Sequence, residues 1–225
     1  GGESICAEAG IPIAGGHSID VLEPIYGLVA LGLVHPQRIK RNSGARAGDV
    51  LVLGKPLGIG VLSAALKKGL LGPAGYATML AHATRLNTPG ARLAQMDAVH
   101  ALTDVTGFGL VGHLLEVCRG SRLAALLRFA DLPLIPEAVA FVREGISTGA
   151  STRNWNGYGA DVDLAPAAEE WQKKLLSDPQ TSGGLLVACA PGAEGAVLDE
   201  LAAGGLTDAR VIGVLEAGPA RVRVV

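Results

Sequence analysis

The stretch Leu102-Thr103-Asp104-Val105-Thr106-Gly107-Phe108-Gly109-Leu110-Val111-Gly112-His113 decides the fold class. The short apolar run Val99 to Leu102 leads into it and predicts a strand. Beyond it, Val111, Leu114, Leu115 and Cys118 recur at i, i+3, i+4 and i+7, the apolar face of a helix, which makes Cys118 a core residue. Gly107 and Gly109 stand at the junction, where a backbone without Cβ can take φ > 0 or approach a ligand closely. Upstream, Asp49 to Gly54 predicts a strand, Gly58-Ile59-Gly60 a turn, Val61 to Lys68 a helix closed by cations and Gly69, and Gly75 to Leu86 a second helix. Downstream, Leu123 to Phe129 predicts a strand, Pro136 to Glu144 a helix, Gly145 to Gly159 a long loop and Pro166 to Leu176 a helix. Leu185 to Ala190 follows as a strand, Ala193 to Ala203 as a helix, and Arg210 to Leu215 with Arg221 to Val225 as closing strands. Strands alternating with helices predict an α/β or α+β protein.

Ahead of this pattern, Ile25 to Val34 is an uninterrupted apolar run, predicted as a strand covered on both faces. The stretch from His35 to Gly48 is polar and cationic, with Arg38, Lys40, Arg41 and Arg46 around Asn42-Ser43-Gly44. Residues 1–40 therefore read as the tail of one domain, 41–48 as a linker and 49–225 as a second domain. Without neighbouring strands, the run at 25–34 is expected to pair with another chain or to lack local order.

With 225 residues, 49% hydrophobic, 18% charged and a mean hydropathy of +0.37, the chain has material for a buried core, and the composition excludes intrinsic disorder. A net charge of −2 gives no basic field for nucleic acid or an anionic membrane surface, so small-molecule chemistry is expected. No apolar run approaches the roughly 20 residues of a membrane-spanning helix. Cys6, Cys118 and Cys189 are odd in number and widely spaced, suggesting neither a disulfide framework nor a zinc site and fitting a reducing cytoplasm. Gly1-Gly2-Glu3-Ser4 has no initiator Met and no leader pattern, so a piece of a longer protein is expected.

Five segments are candidates for chemistry. Gly15-Gly16-His17-Ser18-Ile19-Asp20 offers backbone N–H groups, a hydroxyl and an imidazole to phosphate oxygens, or is a polar turn. Asp104, at a strand end before a glycine-led helix, is placed to hold Mg²⁺ against a polyphosphate, or caps the helix. Lys55-Pro56-Leu57-Gly58-Ile59-Gly60 lacks the ending of a nucleotide-triphosphate P-loop, and its lysine precedes the glycines. Asp178-Pro179-Gln180-Thr181-Ser182-Gly183-Gly184 reads as a turn re-entering the sheet, and Arg153-Asn154-Trp155 as a loop able to close over a ligand or an anchored surface loop.

Taken in order, GGHSID, RNSGA, LGKPLGIG, LTDVTGFGLVGH, STRN and DPQTSGGLL resemble the selenophosphate synthetase (selenide, water dikinase) family over essentially the whole chain. TDVTGFG alone is similar to the wider superfamily of aminoimidazole ribonucleotide synthetase, thiamine-phosphate kinase and hydrogenase-maturation proteins. The resemblance implies a two-domain aminoimidazole ribonucleotide synthetase-like α/β fold, with amino-terminal domains paired in a homodimer and ATP in the cleft. It implies Asp104 as a Mg²⁺ ligand, and Gly16, His17 and Ser18 as the segment reaching ATP from the partner subunit. The implied reaction converts selenide, ATP and water to selenophosphate, AMP and orthophosphate. The family's glycine-rich loop with Cys or selenocysteine and Lys, and most of its aspartates, are absent, so this chain alone is expected to be inactive. Val21-Leu22 departs from the small or polar residues usual in that loop. The competing expectation is a superfamily module that binds nucleotide or dimerises without turnover.

Overall fold

The computed structural model describes residues 1–225 and divides them into two compact units, Gly1–Ile39 and Lys40–Val225. In the first unit, helix α1 (Gly2–Glu8) is the one regular helix longer than a single turn. The run predicted as a strand, Ile25 to Val34, forms none: Ile25, Tyr26, Val29, Leu31 and Leu33 are solvent-exposed and the backbone is irregular. A strand is stable only when its N–H and C=O groups meet a neighbour, and this unit supplies none.

The second unit contains fifteen further elements. They are β1 (Val50–Leu53), α2 (Ile59–Lys67), α3 (Pro73–Thr84), α4 (Pro89–Leu93), β2 (Val99–Asp104), α5 (Gly109–Ser121), β3 (Leu123–Leu127), α6 (Pro136–Arg143), α7 (Gly149–Tyr158), β4 (Val162–Leu164), α8 (Glu170–Leu176), β5 (Leu185–Cys189), α9 (Glu194–Ala203), β6 (Arg210–Ala217) and β7 (Val222–Val224). The seven strands form one sheet in the order β2-β5-β1-β6-β3-β7-β4. Pairing is antiparallel from β2 through β3 and parallel where β7 joins β3 and β4. Side chains alternate across the central strands. Leu51, Leu53, Leu186 and Ala188 face a core shared with α2, α5, α6 and α8, whereas Val52, Leu185, Val187 and Cys189 face a smaller core with α4 and α9. Helices on both faces of a sheet make this an α/β fold.

Proline opens α3, α4 and α6, where a missing N–H costs nothing, and α8 begins on a reciprocal capping box between Glu169 and Gln172. The predicted apolar face of α5 is present, with Val111, Leu114, Leu115 and Cys118 fully buried. Two local expectations are corrected. Helix α2 starts at Ile59, within the predicted turn, because its first N–H groups find side-chain acceptors described below. The predicted loop 145–159 contains α7, started by Thr148, whose hydroxyl accepts from Ser151 N–H at 3.1 Å. Residues 41–48, expected as a linker, are fastened to the second unit: Ser121 Oγ donates to Asn42 C=O and accepts from Ala45 N–H, and Gly48 N–H donates to Leu215 C=O.

Candidate functional site

Strands β1 and β2 run in one direction and β5 runs oppositely between them, so the ends of β1 and β2 and the start of β5 lie at the same end of the sheet. Three of the singled-out motifs, at 54–60, 104–109 and 178–184, therefore meet there. Asp104 is exposed at the end of β2, in register with Leu185.

The turn after Asp104 is held at successive carbonyls. Thr106 C=O accepts from Gln180 N–H and Gly109 N–H, both at 3.0 Å, Gly107 C=O from Asn154 Nδ2 at 2.8 Å, and Phe108 C=O from Tyr158 Oη at 2.6 Å. Asn154 Nδ2 also reaches Ser177 C=O, so STRN belongs to a helix that braces the turn and is not a loop that closes over a ligand. His113 is buried, its Nε2 3.1 Å from Thr106 Oγ1 and its Nδ1 3.2 Å from Glu116 Oε2. Gly109 sits at φ +71°, and a Cβ there would press on Ser177. These contacts preset the backbone around Asp104.

The 178–184 segment caps α2. Gln180 Oε1 accepts from Gly58 and Ile59 N–H, each at 3.2 Å, and Asp178 Oδ2 accepts from Val61 N–H at 3.2 Å. Any side chain at Gly60 would overlap the Asp178 carboxylate, which is why glycine stands there. Burial pushes the Asp178 carboxyl up to about 7, against the lowering effect of its hydrogen bonds from Val61 and Gln180. Its place in a turn was legible; its burial and capping role were not, because Val61 is more than a hundred residues away in sequence.

In the first unit, Gly16, His17 and Ser18 lie exposed in an irregular segment, with no protein partner on the imidazole or hydroxyl. A Cβ on Gly15 or Gly16 would meet nothing, so neither glycine is required by packing. Asp104 belongs to the other unit.

No three His, Cys, Asp or Glu side chains converge as a metal cage anywhere in the chain. Asp104 contributes a single exposed carboxylate, which does not fit a resident metal centre; a Mg²⁺ arriving with a polyphosphate would take it as one oxygen ligand among phosphate and water oxygens. The cysteines supply no nucleophile in the second unit: both Cys118 and Cys189 are buried, and burial pushes their thiols up to about 12 and about 11. No helix is long and apolar enough to cross a membrane.

The chain is 61% identical over 225 residues to the selenide, water dikinase of Paraburkholderia xenovorans (strain LB400), covering all of this chain and 64% of that protein. It is 63% identical over 224 residues to the selenide, water dikinase of Burkholderia ambifaria (strain MC40-6), again covering 100% of this chain and 63% of the relative. The chain thus spans somewhat under two thirds of the length of these relatives. Among solved structures, the thiamine-monophosphate kinase from Stenotrophomonas maltophilia K279a superposes with a TM-score of 0.61 at 20% identity, over 85% of this chain and 54% of that one, a likeness of fold. Residues 46–225 match the model of the AIR synthase related protein, C-terminal domain, and on this match the chain belongs to that family.

Proposed function

We propose that this chain is the carboxy-terminal part of an ATP-dependent phosphotransferase that makes selenophosphate from selenide and water, releasing AMP and orthophosphate. The observation that carries this reading is identity of 61–63% across the full chain to proteins named selenide, water dikinase. The geometry supports it through Asp104, an exposed carboxylate beside a turn whose carbonyls are held by Gln180, Asn154 and Tyr158, an arrangement suited to charge placement without reorganisation. Mg²⁺, when brought by the nucleotide, would neutralise phosphate charge there. Gly16, His17 and Ser18, with no protein partners, are the second contact proposed for the nucleotide, reached from the partner subunit of a cytoplasmic homodimer. Isolated residues 1–225 hold too few carboxylates around Asp104 to position metal and triphosphate, and are proposed to be inactive alone.

The test is selenide-dependent AMP formation by the complete protein. Asp104→Asn is expected to lower turnover by about 10²-fold or more and to weaken Mg²⁺-dependent ATP binding, with the melting temperature nearly unchanged. An equal loss of folding would assign Asp104 to the architecture. His17→Ala and Ser18→Ala are expected to raise the ATP concentration needed for half-maximal rate, with the fold intact by circular dichroism.

A further inference from the structure

Lys55 is an unusual group for an interior. It is 2% exposed, and its ammonium has no carboxylate partner. It donates instead to neutral oxygens: Arg85 C=O at 2.6 Å, Ser182 C=O at 2.7 Å and Ser182 Oγ at 3.4 Å. An unpaired buried charge is costly, so the backbone arrangement it imposes needs an explanation beyond packing.

What it grips is the Ser182-Gly183-Gly184 loop. Ser182 sits at φ +50°, one of two non-glycine residues in the chain with positive φ; the other, Arg122, closes α5, where such a conformation is ordinary. A Cβ on Gly183 would overlap Val105 C=O, and one on Gly184 would overlap Lys55 N. Gly184 C=O in turn accepts from Val105 N–H at 2.9 Å, and the next residue, Leu185, pairs with Asp104. Lys55, the loop, Val105 and Asp104 are thus linked by consecutive short contacts.

We propose that Lys55 is a positioning residue: its ammonium clamps the Ser182–Gly184 loop against Val105 and so sets the direction in which Asp104 is presented to a phosphate-bearing ligand. The role in positioning rests on the assignment of Asp104 above; the clamp itself does not. The charged groups around Lys55 are Arg85, whose carbonyl it binds, and His82 of α3, which in turn feels Asp208. Burial first, and then the Arg85 charge, bring Lys55 down to about 8, so mild alkali removes one of its three donors.

Hydrogen exchange of the 225-residue chain tests the clamp. In Lys55→Met, the Val105 amide is expected to exchange about tenfold faster or more, while amides of β3 and β6 keep their rates. Equal acceleration everywhere, or none at Val105, overturns the proposal. If that variant does not fold, Lys55→Gln decides: its shorter side chain cannot reach both Arg85 C=O and Ser182 C=O, so protection at Val105 should fall relative to β3, and a ratio equal to that of the unmodified chain overturns the clamp. In the complete protein, Lys55→Met should lower turnover, with little further loss when combined with Asp104→Asn. Independent, multiplicative losses, or full turnover despite faster Val105 exchange, would refute positioning. Absence of selenide-dependent AMP formation in the unmodified complete protein would defeat the functional assignment, leaving the exchange result to judge the clamp.

Discussion

Asp178 shows how a single side chain sets a pH dependence. Its carboxyl keeps a proton up to about pH 7 in the folded chain, against an ordinary value of 3.8. Between those values the folded state binds the extra proton, so this group's stabilisation is complete below pH 3.8 and is lost as pH rises through about 7. Asp178→Asn is expected to flatten that part of the melting-temperature profile, and an unchanged slope between pH 4 and 7 would show the carboxyl to be ordinary. At Gly184, substitution by Ala is expected to destabilise by about 1–3 kcal/mol, as overpacking does, measured by urea unfolding. Some of these roles were legible. The spacing of Val111, Leu114, Leu115 and Cys118 identified a buried face because helical periodicity is local. The lysine of 55–60 does not fit a phosphate loop, and its place among carbonyls is not legible locally, because its partners, Arg85 and Ser182, are distant in sequence.

Elements with strong local patterning were readable, and α7 was not. Its Gly, Ser, Thr and Asn content has weak helix propensity, and its stability comes from a cap and from tertiary contacts of Asn154, Trp155 and Tyr158. Thr148→Ala should therefore cost about 0.5–2 kcal/mol, seen as a lower urea midpoint, although the residue touches neither Asp104 nor its turn. Strand Ile25 to Val34 failed for the complementary reason: an apolar run states a preference for burial, but a strand exists only with a neighbour to bond. The candidate site was legible as far as Asp104 and its glycines; the braces from α7 and the Asp178–Gln180 cap join segments that only the fold brings together.

Across the whole molecule, the division at Ile39–Lys40 makes a direct prediction. Residues 40–225 hold both cores and every strand, so they should unfold in one cooperative calorimetric transition, at a temperature close to that of the full chain. Residues 1–39 expose Leu22, Val29, Leu31 and Leu33, and their presence is expected to produce concentration-dependent association in sedimentation experiments. Equal sedimentation of the two lengths at every concentration would contradict this. Strand order carries a further consequence for synthesis. The interior strand β1 is made first, yet both its neighbours, β5 and β6, come late, and β4 is joined to the sheet through β7, the last strand of all. At about 5–20 residues per second on a ribosome, β4 waits on the order of several seconds for β7 to emerge. The nascent domain thus spends most of its translation with apolar strand edges unpaired, which makes it a natural client for chaperones that shield such edges until the final strand arrives.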